Sequence, residues 1–137
     1  MMEKKIGLVW LKKDLRLQDH APLQCALQRH EKVLVFYVFE PGYWKLPFTS
    51  FRQWSFIYDC LCSLQKEVEQ RGGSLLFFKR DMLHLLEDLQ QKWPHISLYS
   101  HEETGGDWTY KRDQSVQAWC QKHDIVWQEF SSNGVVR

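Results

Sequence analysis

The chain has 137 residues, which is the length of one domain and is enough to close a hydrophobic core without disulfides or a metal. Eighteen Lys and Arg residues face 17 Asp and Glu, so the net charge of +1 gives no general attraction to nucleic acid or anionic lipid. The apolar runs are too short to cross a bilayer, and the first residues do not resemble a signal peptide.

Five short apolar runs recur along the chain, at 6–11, 33–39, 75–78, 96–99 and 125–127. Most are continuous, which is typical of strands buried on both faces of a sheet. Stretches with helical periodicity separate them, so strands and helices alternate strictly. This order predicts a three-layer α/β/α sandwich with a five-stranded parallel, Rossmann-like sheet, formed by one domain over residues 1–137.

Polar residues mark the predicted helix starts. The predicted N-caps are Asp19, Ser50, Asp81 and either Asp107 or Thr109. The helix after Ser50 is the longest, because Gln53 completes a capping box and two glycines at 72 and 73 end the periodic pattern.

In such sheets, ligands bind beyond the carboxyl ends of the strands. The segments there are 12–19, 40–49, 79–81, 100–106 and 128–137. The loop 40–49 contains Tyr43, Trp44 and Phe48, and it is either a lid or a loop packed on its own aromatic rings. The chain stops soon after the last strand, so it is either a complete small domain or a part of a longer protein.

Several chemistries are disfavoured by the motifs. The first strand-to-helix turn has no glycine, whereas dinucleotide and P-loop sites need glycine to let backbone amides approach phosphates. No G-x-S-x-G or H-E-x-x-H motif is present, and the adjacent His101, Glu102 and Glu103 are a poor metal set and a better ligand-bonding cluster. The four cysteines lack C-x-x-C spacing, so we expect reduced thiols in a cytoplasmic protein.

Two charged positions keep two interpretations each. Asp14 is either a local structural residue of its turn or, with Arg16, a residue that orders the loop beside a pocket. Arg52 is either a surface residue or a guanidinium that stacks on a ring or holds a phosphate or carboxylate at a helix start.

The segment 10–23, which reads W-L-K-K-D-L-R-L-Q-D-H-A-P-L, resembles the opening of the DNA photolyase and cryptochrome family. That opening is an aromatic residue at a strand end followed by R-x-D-L-R-L-x-D-N-x-A-L, from which Lys12 and His20 depart. Residues 50–53, 98–103 and 110–113 resemble later family segments in the right order, so the resemblance covers essentially the whole chain.

The resemblance implies an N-terminal α/β domain that holds an antenna chromophore: a reduced folate, a deazaflavin, FMN or a lumazine. The residues implied in contact with the antenna are Lys12, Lys13, Asp14, Phe39, Glu40, Arg52, Glu102 and Glu103. It further implies a separate C-terminal helical domain that binds FAD and is absent from this chain. The whole protein would then be a deoxyribodipyrimidine photolyase that repairs pyrimidine dimers in damaged DNA, with a cryptochrome photoreceptor as the alternative.

The resemblance also implies that this chain alone has no lyase activity, and that Trp10, Trp54 and Trp119 are packing residues. Two further hypotheses stay open. One is a stand-alone nucleotide-binding α/β domain, which shares this topology. The other is a structural half-domain that stabilises a partner.

Overall fold

A computed structural model of the chain describes residues 5–103 and 106–131. Five parallel strands form one sheet in the order β3-β2-β1-β4-β5. The strands are β1 (Ile6–Leu11), β2 (Val33–Val38), β3 (Leu75–Phe78), β4 (Ile96–His101) and β5 (Trp127–Phe130). The helices are α1 (Ala21–Arg29), α2 (Pro41–Trp44), α3 (Phe51–Gln70), α4 (Met82–Lys92) and α5 (Asp107–Lys122). The predicted α/β fold is confirmed.

The sheet is buried on both faces, which is why its central strands are continuous apolar runs. Alternate residues of β1 point to opposite faces, because side chains along a strand have a period of two. Leu8 and Trp10 join a cluster with Leu85 and Leu86 of α4. Val9 and Leu11 join a second cluster, with Ala26 of α1 and with Leu61, Leu64 and Val68 of α3. The two clusters are therefore the two cores of the three-layer sandwich.

A close contact explains the glycine in β1. A Cβ atom on Gly7 would lie 2.8 Å from Cδ2 of His30, the residue that ends α1. His30 in turn contacts the Lys5 carbonyl oxygen through Nδ1 at 2.9 Å and the Tyr99 hydroxyl through Nε2 at 2.8 Å. Glycine at this position therefore lets α1 end directly against the sheet.

The helix starts agree with the sequence in two of four cases. Ser50 and Gln53 form the predicted capping box, and the Asp81 carboxylate accepts the Leu83 amide. Asp19 was the wrong choice for α1: it adopts φ 51°, and the N-cap is the next residue, His20, whose Nδ1 accepts the Leu23 amide at 3.1 Å.

The start of α5 and the start of β5 also differ from the predictions. Gly106 is the N-cap of α5 and supplies no side chain, while the Thr109 hydroxyl donates back to the Gly106 carbonyl oxygen at 3.1 Å. The last strand begins at Trp127, not at 125, because the Ile125 amide is held by the Cys120 carbonyl oxygen at the end of α5.

No helix within the described residues is long and apolar enough to cross a membrane.

The cysteines at 25, 60, 62 and 120 are all free thiols, as expected. Two of the predicted ligand-binding segments extend to residues 104–105 and 132–137, which lie outside the described residues.

Candidate functional site: a cavity at the carboxyl edge of the sheet

A cavity of about 370 Å³ opens at the carboxyl edge of the sheet. Lys12 and Lys13 follow β1, Glu40 follows β2, and Glu103 follows β4, so three neighbouring strands bring these side chains together. In the sheet, β1 has β2 on one side and β4 on the other, so the strand order reverses between β1 and β4. This is the switch point of the sheet, where α/β folds bind ligands. The volume lies within the range of small-molecule sites.

Aromatic and apolar side chains form much of the cavity wall. Trp10 comes from β1, Tyr37 from β2, and Tyr43 and Trp44 from α2, while α3 contributes Phe56 and Ile57. Flat rings on several sides suit a planar ligand, which gains dispersion energy from stacking and loses little conformational entropy.

Arg112 lies at the centre of the polar wall and contacts three carboxylates. The guanidinium donates to Glu40 through Nη1, to Glu103 through Nη2 and to Asp113 through Nε. It also lies over the Trp10 ring, with Cζ 4.7 Å from the ring centroid. One side chain of α5 thereby connects the ends of β2 and β4 across the end of β1.

The pKa values of this cluster reflect a balance between burial, which disfavours charge, and the attraction between opposite charges. Burial alone would lower the pKa of Arg112, but the carboxylates of Glu40, Asp113 and Glu103 outweigh it and raise the pKa. Burial raises the pKa of Glu40, and the charge of Arg112 offsets this only in part. Breaking the cluster would leave charges buried without a partner, which is far more costly than losing a surface ion pair.

Lys12 is the second buried cation at the cavity. Its side chain is 3% exposed, Nζ donates to Asp113 at 3.1 Å, and the ammonium lies 4.3 Å from the Trp10 ring centroid. Burial lowers the pKa of Lys12, and the nearby Asp113 carboxylate opposes that effect. The Trp10 ring therefore lies close to two cationic groups, the ammonium of Lys12 and the guanidinium of Arg112.

Asp14 lies at the centre of a separate buried cluster. Its Oδ1 accepts the Lys12 amide at 2.7 Å, and its Oδ2 is in contact with Nε2 of His20 and with Nδ1 of His101 at 2.6 Å. Burial would raise the pKa of Asp14, but the hydrogen bonds from His20, His101 and Lys12 outweigh it and lower the pKa. Asp14 thus connects the first crossover to the end of β4, 87 positions later, through contacts that reach beyond its own turn.

These three side chains are close enough to hold a metal ion, but their hydrogen bonds favour a different arrangement. His20 Nδ1 accepts the Leu23 amide, so the proton of the neutral ring lies on Nε2, the atom that faces Asp14. A metal ion bound at Nε2 would require the proton on Nδ1, where it would oppose the Leu23 N–H. A hydrogen-bonded cluster fits these atoms better than a metal centre.

The predicted site residues fall into three groups. Lys12, Lys13, Glu40 and Glu103 line the main cavity. Asp14 and Glu102 line a smaller cavity of about 210 Å³ next to it, which also borders on Lys12, Lys13, Arg16, His101 and Glu103.

The third group comprises Phe39 and Arg52, which do not line the main cavity. Phe39 is 4% exposed and packs between Tyr37, Trp54 and Phe77. Arg52 is exposed in the first turn of α3, where Gln53 of the same turn contributes to the cavity instead. A role for either residue in antenna contact stays a prediction.

The sequence prediction missed several cavity residues, Arg112 above all. In the sequence, Arg112 belongs only to the segment 110–113 that resembles the start of the family's fourth helix, and no spacing rule connects it with Glu40, 72 positions earlier. Trp10 was expected to pack, and it does: the side chain is 2% exposed and belongs to the core, yet it also lines the cavity. A sequence signal exists for both residues. Trp10 is an aromatic residue at the end of a strand, and Arg112 is a basic residue in the first turns of a helix that begins at the carboxyl edge of the sheet.

The loop after β2 packs on its own aromatic rings. Tyr43 makes edge contacts with Trp44 and Phe48 and also contacts Trp108 of α5, with ring centroids 5.3 to 5.8 Å apart. This is the packing expected from the second interpretation of the loop. It fixes Tyr43 and Trp44 as one wall of the cavity.

With this geometry established, comparison with known proteins decides the family. A family model described as DNA photolyase matches residues 7–137. The chain belongs to the DNA photolyase family. The family match covers the sheet except for Ile6, all the helices and every cavity residue named above.

Individual relatives agree with this assignment. The chain is 29% identical to a cryptochrome DASH from Gloeobacter violaceus over 118 residues, which is 82% of this chain and 24% of that protein. It is 38% identical to a deoxyribodipyrimidine photo-lyase from Salmonella typhimurium over 71 residues, which is 51% of this chain and 15% of that protein. The chain thus spans about a quarter or less of the length of these relatives.

Solved photolyases share the fold. A bacterial class III photolyase from Agrobacterium tumefaciens matches with a TM-score of 0.82 at 20% identity, over 96% of this chain and 26% of that one. An archaeal photolyase from Sulfolobus tokodaii, solved with two FAD molecules that imply a novel light-harvesting cofactor, matches with a TM-score of 0.76 at 22% identity, over 92% of this chain and 29% of that one.

Proposed function

We propose that this chain is the antenna-chromophore domain of a light-dependent flavoprotein, and that the whole protein is a deoxyribodipyrimidine photolyase. The observation that carries the proposal is the cavity at the switch point, whose wall combines Trp10, Tyr43 and Trp44 with the cluster around Arg112. A folate, deazaflavin, FMN or lumazine would be held there by stacking and hydrogen bonds. When bound, such a chromophore absorbs light and passes the excitation energy on.

The polar groups at the cavity suit binding and orientation. Lys12, Arg112, Glu40 and Glu103 are fixed in ion pairs, so they supply a rigid polar surface next to the aromatic rings. An antenna needs a rigid, water-poor environment and a fixed orientation. We therefore expect the isolated chain to bind a chromophore and to have no lyase activity.

The remaining components belong to the whole protein. We propose an FAD-binding helical domain as the partner of this domain and damaged DNA as the substrate, in a cytoplasmic protein. The support is the family, together with relatives and solved photolyases of which this chain spans a quarter or so. A cryptochrome is the second candidate, because a relative matched over most of this chain is a cryptochrome DASH.

A stand-alone nucleotide-binding domain fits the first crossover less well. A pyrophosphate site needs free backbone amides at the start of the first helix. Here the Lys12 amide is already bonded to Asp14 Oδ1 and the Leu23 amide to His20 Nδ1. The turn is therefore closed by its own side chains.

The proposal is tested by chromophore binding to the purified 137-residue chain. FMN, methenyltetrahydrofolate, an 8-hydroxydeazaflavin and dimethylribityllumazine are each added, and absorbance is read after gel filtration. At least one should co-elute, and Ile57→Trp, which adds a bulky ring to the cavity wall, should abolish co-elution. Ser63→Trp places the same ring on the exposed side of α3 and should leave binding intact.

Tight binding of AMP or ATP, with no binding of any of the four chromophores, would instead favour a nucleotide-binding domain. The activity of the whole protein is measured separately, on the full-length gene product. It should repair a UV-irradiated oligothymidine only under blue light. Binding of FAD without repair would favour the cryptochrome.

A further inference from the structure

Exposed apolar side chains are concentrated around the start of α3. Eight large hydrophobic side chains are exposed among the described residues, and four of them lie within residues 48–58. Phe51 is the most exposed of the eight, at 81%. Single exposed apolar residues are normal on a protein surface, whereas a contiguous group marks a surface that a partner covers.

Three aromatic rings on α3 form one ordered row. Phe51, Trp54 and Tyr58 follow at spacings of three and four, so they lie on one face of the helix. The ring centroids of Phe51 and Trp54 are 6.2 Å apart and those of Trp54 and Tyr58 are 5.3 Å apart, with the planes nearly parallel. Trp54 also packs on Phe39 of the core, and Tyr58 packs on Phe77 of β3. This α3 aromatic row is therefore ordered by the fold itself, which lowers the entropy that a partner loses by binding to it.

A cleft of about 360 Å³ opens beside the first ring of the row. None of the described residues that line it is charged; they are Trp44, Thr49, Ser50, Phe51 and Trp54. The Thr49 hydroxyl already donates to backbone carbonyl oxygens, and Ser50 Oγ already accepts a backbone amide. The cleft therefore favours a large apolar side chain over a charged group.

The charges beside the α3 aromatic row do not suit a nucleic acid. Proteins that stack bases on aromatic rings combine those rings with a positively charged groove for the backbone. Arg52 and Asp59 are both exposed on α3, seven positions apart, so a carboxylate accompanies the guanidinium along the same side of the helix. An apolar protein segment matches this surface better than a phosphate backbone does.

The length of the relatives indicates which protein segment this is. This chain spans about a quarter of their length. A segment that is covalently joined to a domain and can reach its surface has an effective concentration there of the order of millimolar. It therefore competes well against a second copy of the chain, which has to associate from free solution.

We propose that the α3 aromatic row and its cleft bind a segment of the whole protein that lies outside these 137 residues. That segment packs apolar side chains along the row and inserts one large apolar side chain into the cleft. The inference rests on the proposed function in one respect, because it requires that the whole protein contains further polypeptide. It does not depend on a chromophore, since none of the three rings of the row lines the main cavity.

Hydroxyl-radical labelling read by mass spectrometry tests the proposal on unaltered protein. The 137-residue chain, which closes both of its cores with its own residues, is compared with the full-length gene product at the same low concentration. Phe51 and Tyr58 should be oxidised about 5-fold more slowly in the full-length protein, because a packed interface excludes water. Trp93, which lies at the end of α4 on the other face of the sheet, is the control and should be oxidised at similar rates in both.

A charge placed in the row tests the apolar character of the contact. Phe51→Asp should not weaken α3, because an acidic residue at the first helical position suits the positive end of the helix dipole. In the full-length protein, it should raise the oxidation rate of Tyr58 towards the rate in the 137-residue chain. Leu27→Asp, which alters an exposed apolar residue of α1, should leave the protection of Tyr58 unchanged. Circular dichroism confirms that both variants are folded.

Three results would overturn the proposal. The first is oxidation of Phe51 and Tyr58 at equal rates in the two proteins. The second is protection that is already present in the 137-residue chain and disappears on dilution, which would assign the surface to a second copy. The third is protection that appears in the full-length protein only after an oligonucleotide is added, which would assign it to nucleic acid.

The outcomes also separate this inference from the proposed function. Chromophore binding by the 137-residue chain without protection of the row would overturn this inference alone. Protection of the row without binding of any chromophore would overturn the antenna function alone. A full-length gene product no longer than this chain would overturn this inference together with the proposed helical partner domain.

Discussion

At the scale of single residues, Asp14 shows how one carboxylate organises the start of the site. It accepts a backbone amide from Lys12 and contacts two histidines from different elements. The partners come from β1's end, the N-cap of α1 and the last residue of β4, so one short side chain fixes three segments. The cost of burying it is met by hydrogen bonds, which is the general condition for a buried charge.

Asp14→Asn should destabilise the chain by about 2–4 kcal/mol at pH 7, because the amide NH2 group opposes a histidine N–H that cannot turn away. The pKa of Asp14 is lowered in the folded state, so its charged form contributes stability above the ordinary carboxylate pKa of about 4. That contribution is lost as the pH falls through the lower folded value.

Urea unfolding at a series of pH values checks both points. The unaltered chain should lose stability below pH 4 by an increment that the variant lacks. Asp19→Asn is the matched control, since Asp19 is exposed and adopts φ 51°, which asparagine tolerates. A loss below about 0.5 kcal/mol in Asp14→Asn would contradict the structural role of this carboxylate.

At the scale of elements, α3 shows local sequence and tertiary packing in agreement. Its 20 residues begin with the capping box of Ser50 and Gln53, and they end before Gly72, which has φ 84°. Leu61, Leu64 and Val68 lie on one face at helical spacing and are buried against the sheet. Its first turns also reach the cavity, so the position of the cap sets the position of Gln53, Phe56 and Ile57.

Ser50→Ala should cost about 1 kcal/mol of folding stability, because the Gln53 amide loses its acceptor at the helix start. The midpoint of urea unfolding measures it. Ser50→Asp keeps an acceptor and should retain most of the stability. Ser55→Ala, in the interior of the same helix, should stay within about 0.5 kcal/mol. Equal effects at 50 and 55 would show that the cap contributes nothing.

At the scale of the whole molecule, the cavity exists because parallel strands end at one edge. The ends of β1, β2 and β4 deliver their charged residues to one place, and α5 returns across them with Arg112. Glu40 lies 72 positions before Arg112 and Glu103 lies nine positions before it, yet the three side chains form one ion-pair cluster. The integrity of the site and the stability of the fold are therefore coupled.

Arg112→Gln should destabilise the chain by about 3–5 kcal/mol at pH 7, because Glu40 and Glu103 are left buried without a cation. The control is Arg71→Gln, which removes an exposed pair with Glu67 and should change stability by less than about 0.5 kcal/mol. Thermal unfolding measured by circular dichroism compares the two. Similar melting temperatures for both variants would refute the central role of Arg112.

The sequence by itself determined the alternation of strands and helices. Continuous apolar runs such as 6–11 can be buried on both faces only in a covered parallel sheet, and the signals for the capping box and the glycine stop lie within a few residues of each other. The same local signals located the segments 12–19, 40–49 and 100–106, because segments that follow parallel strands must meet at one edge. The resemblance to the family singled out Lys12, Lys13, Glu40 and Glu103 within them.

Only the tertiary structure decided which of these residues share a cavity and which partners they have. His20 replaced Asp19 as the cap because Asp14 and Leu23 are both in reach of its ring. Arg112 joined the site through ion pairs with residues up to 72 positions away, and Phe39 packs in the core, away from the cavity. Such contacts depend on how the helices pack across the sheet. A local pattern of residues does not determine which side chains from distant parts of the sequence meet there.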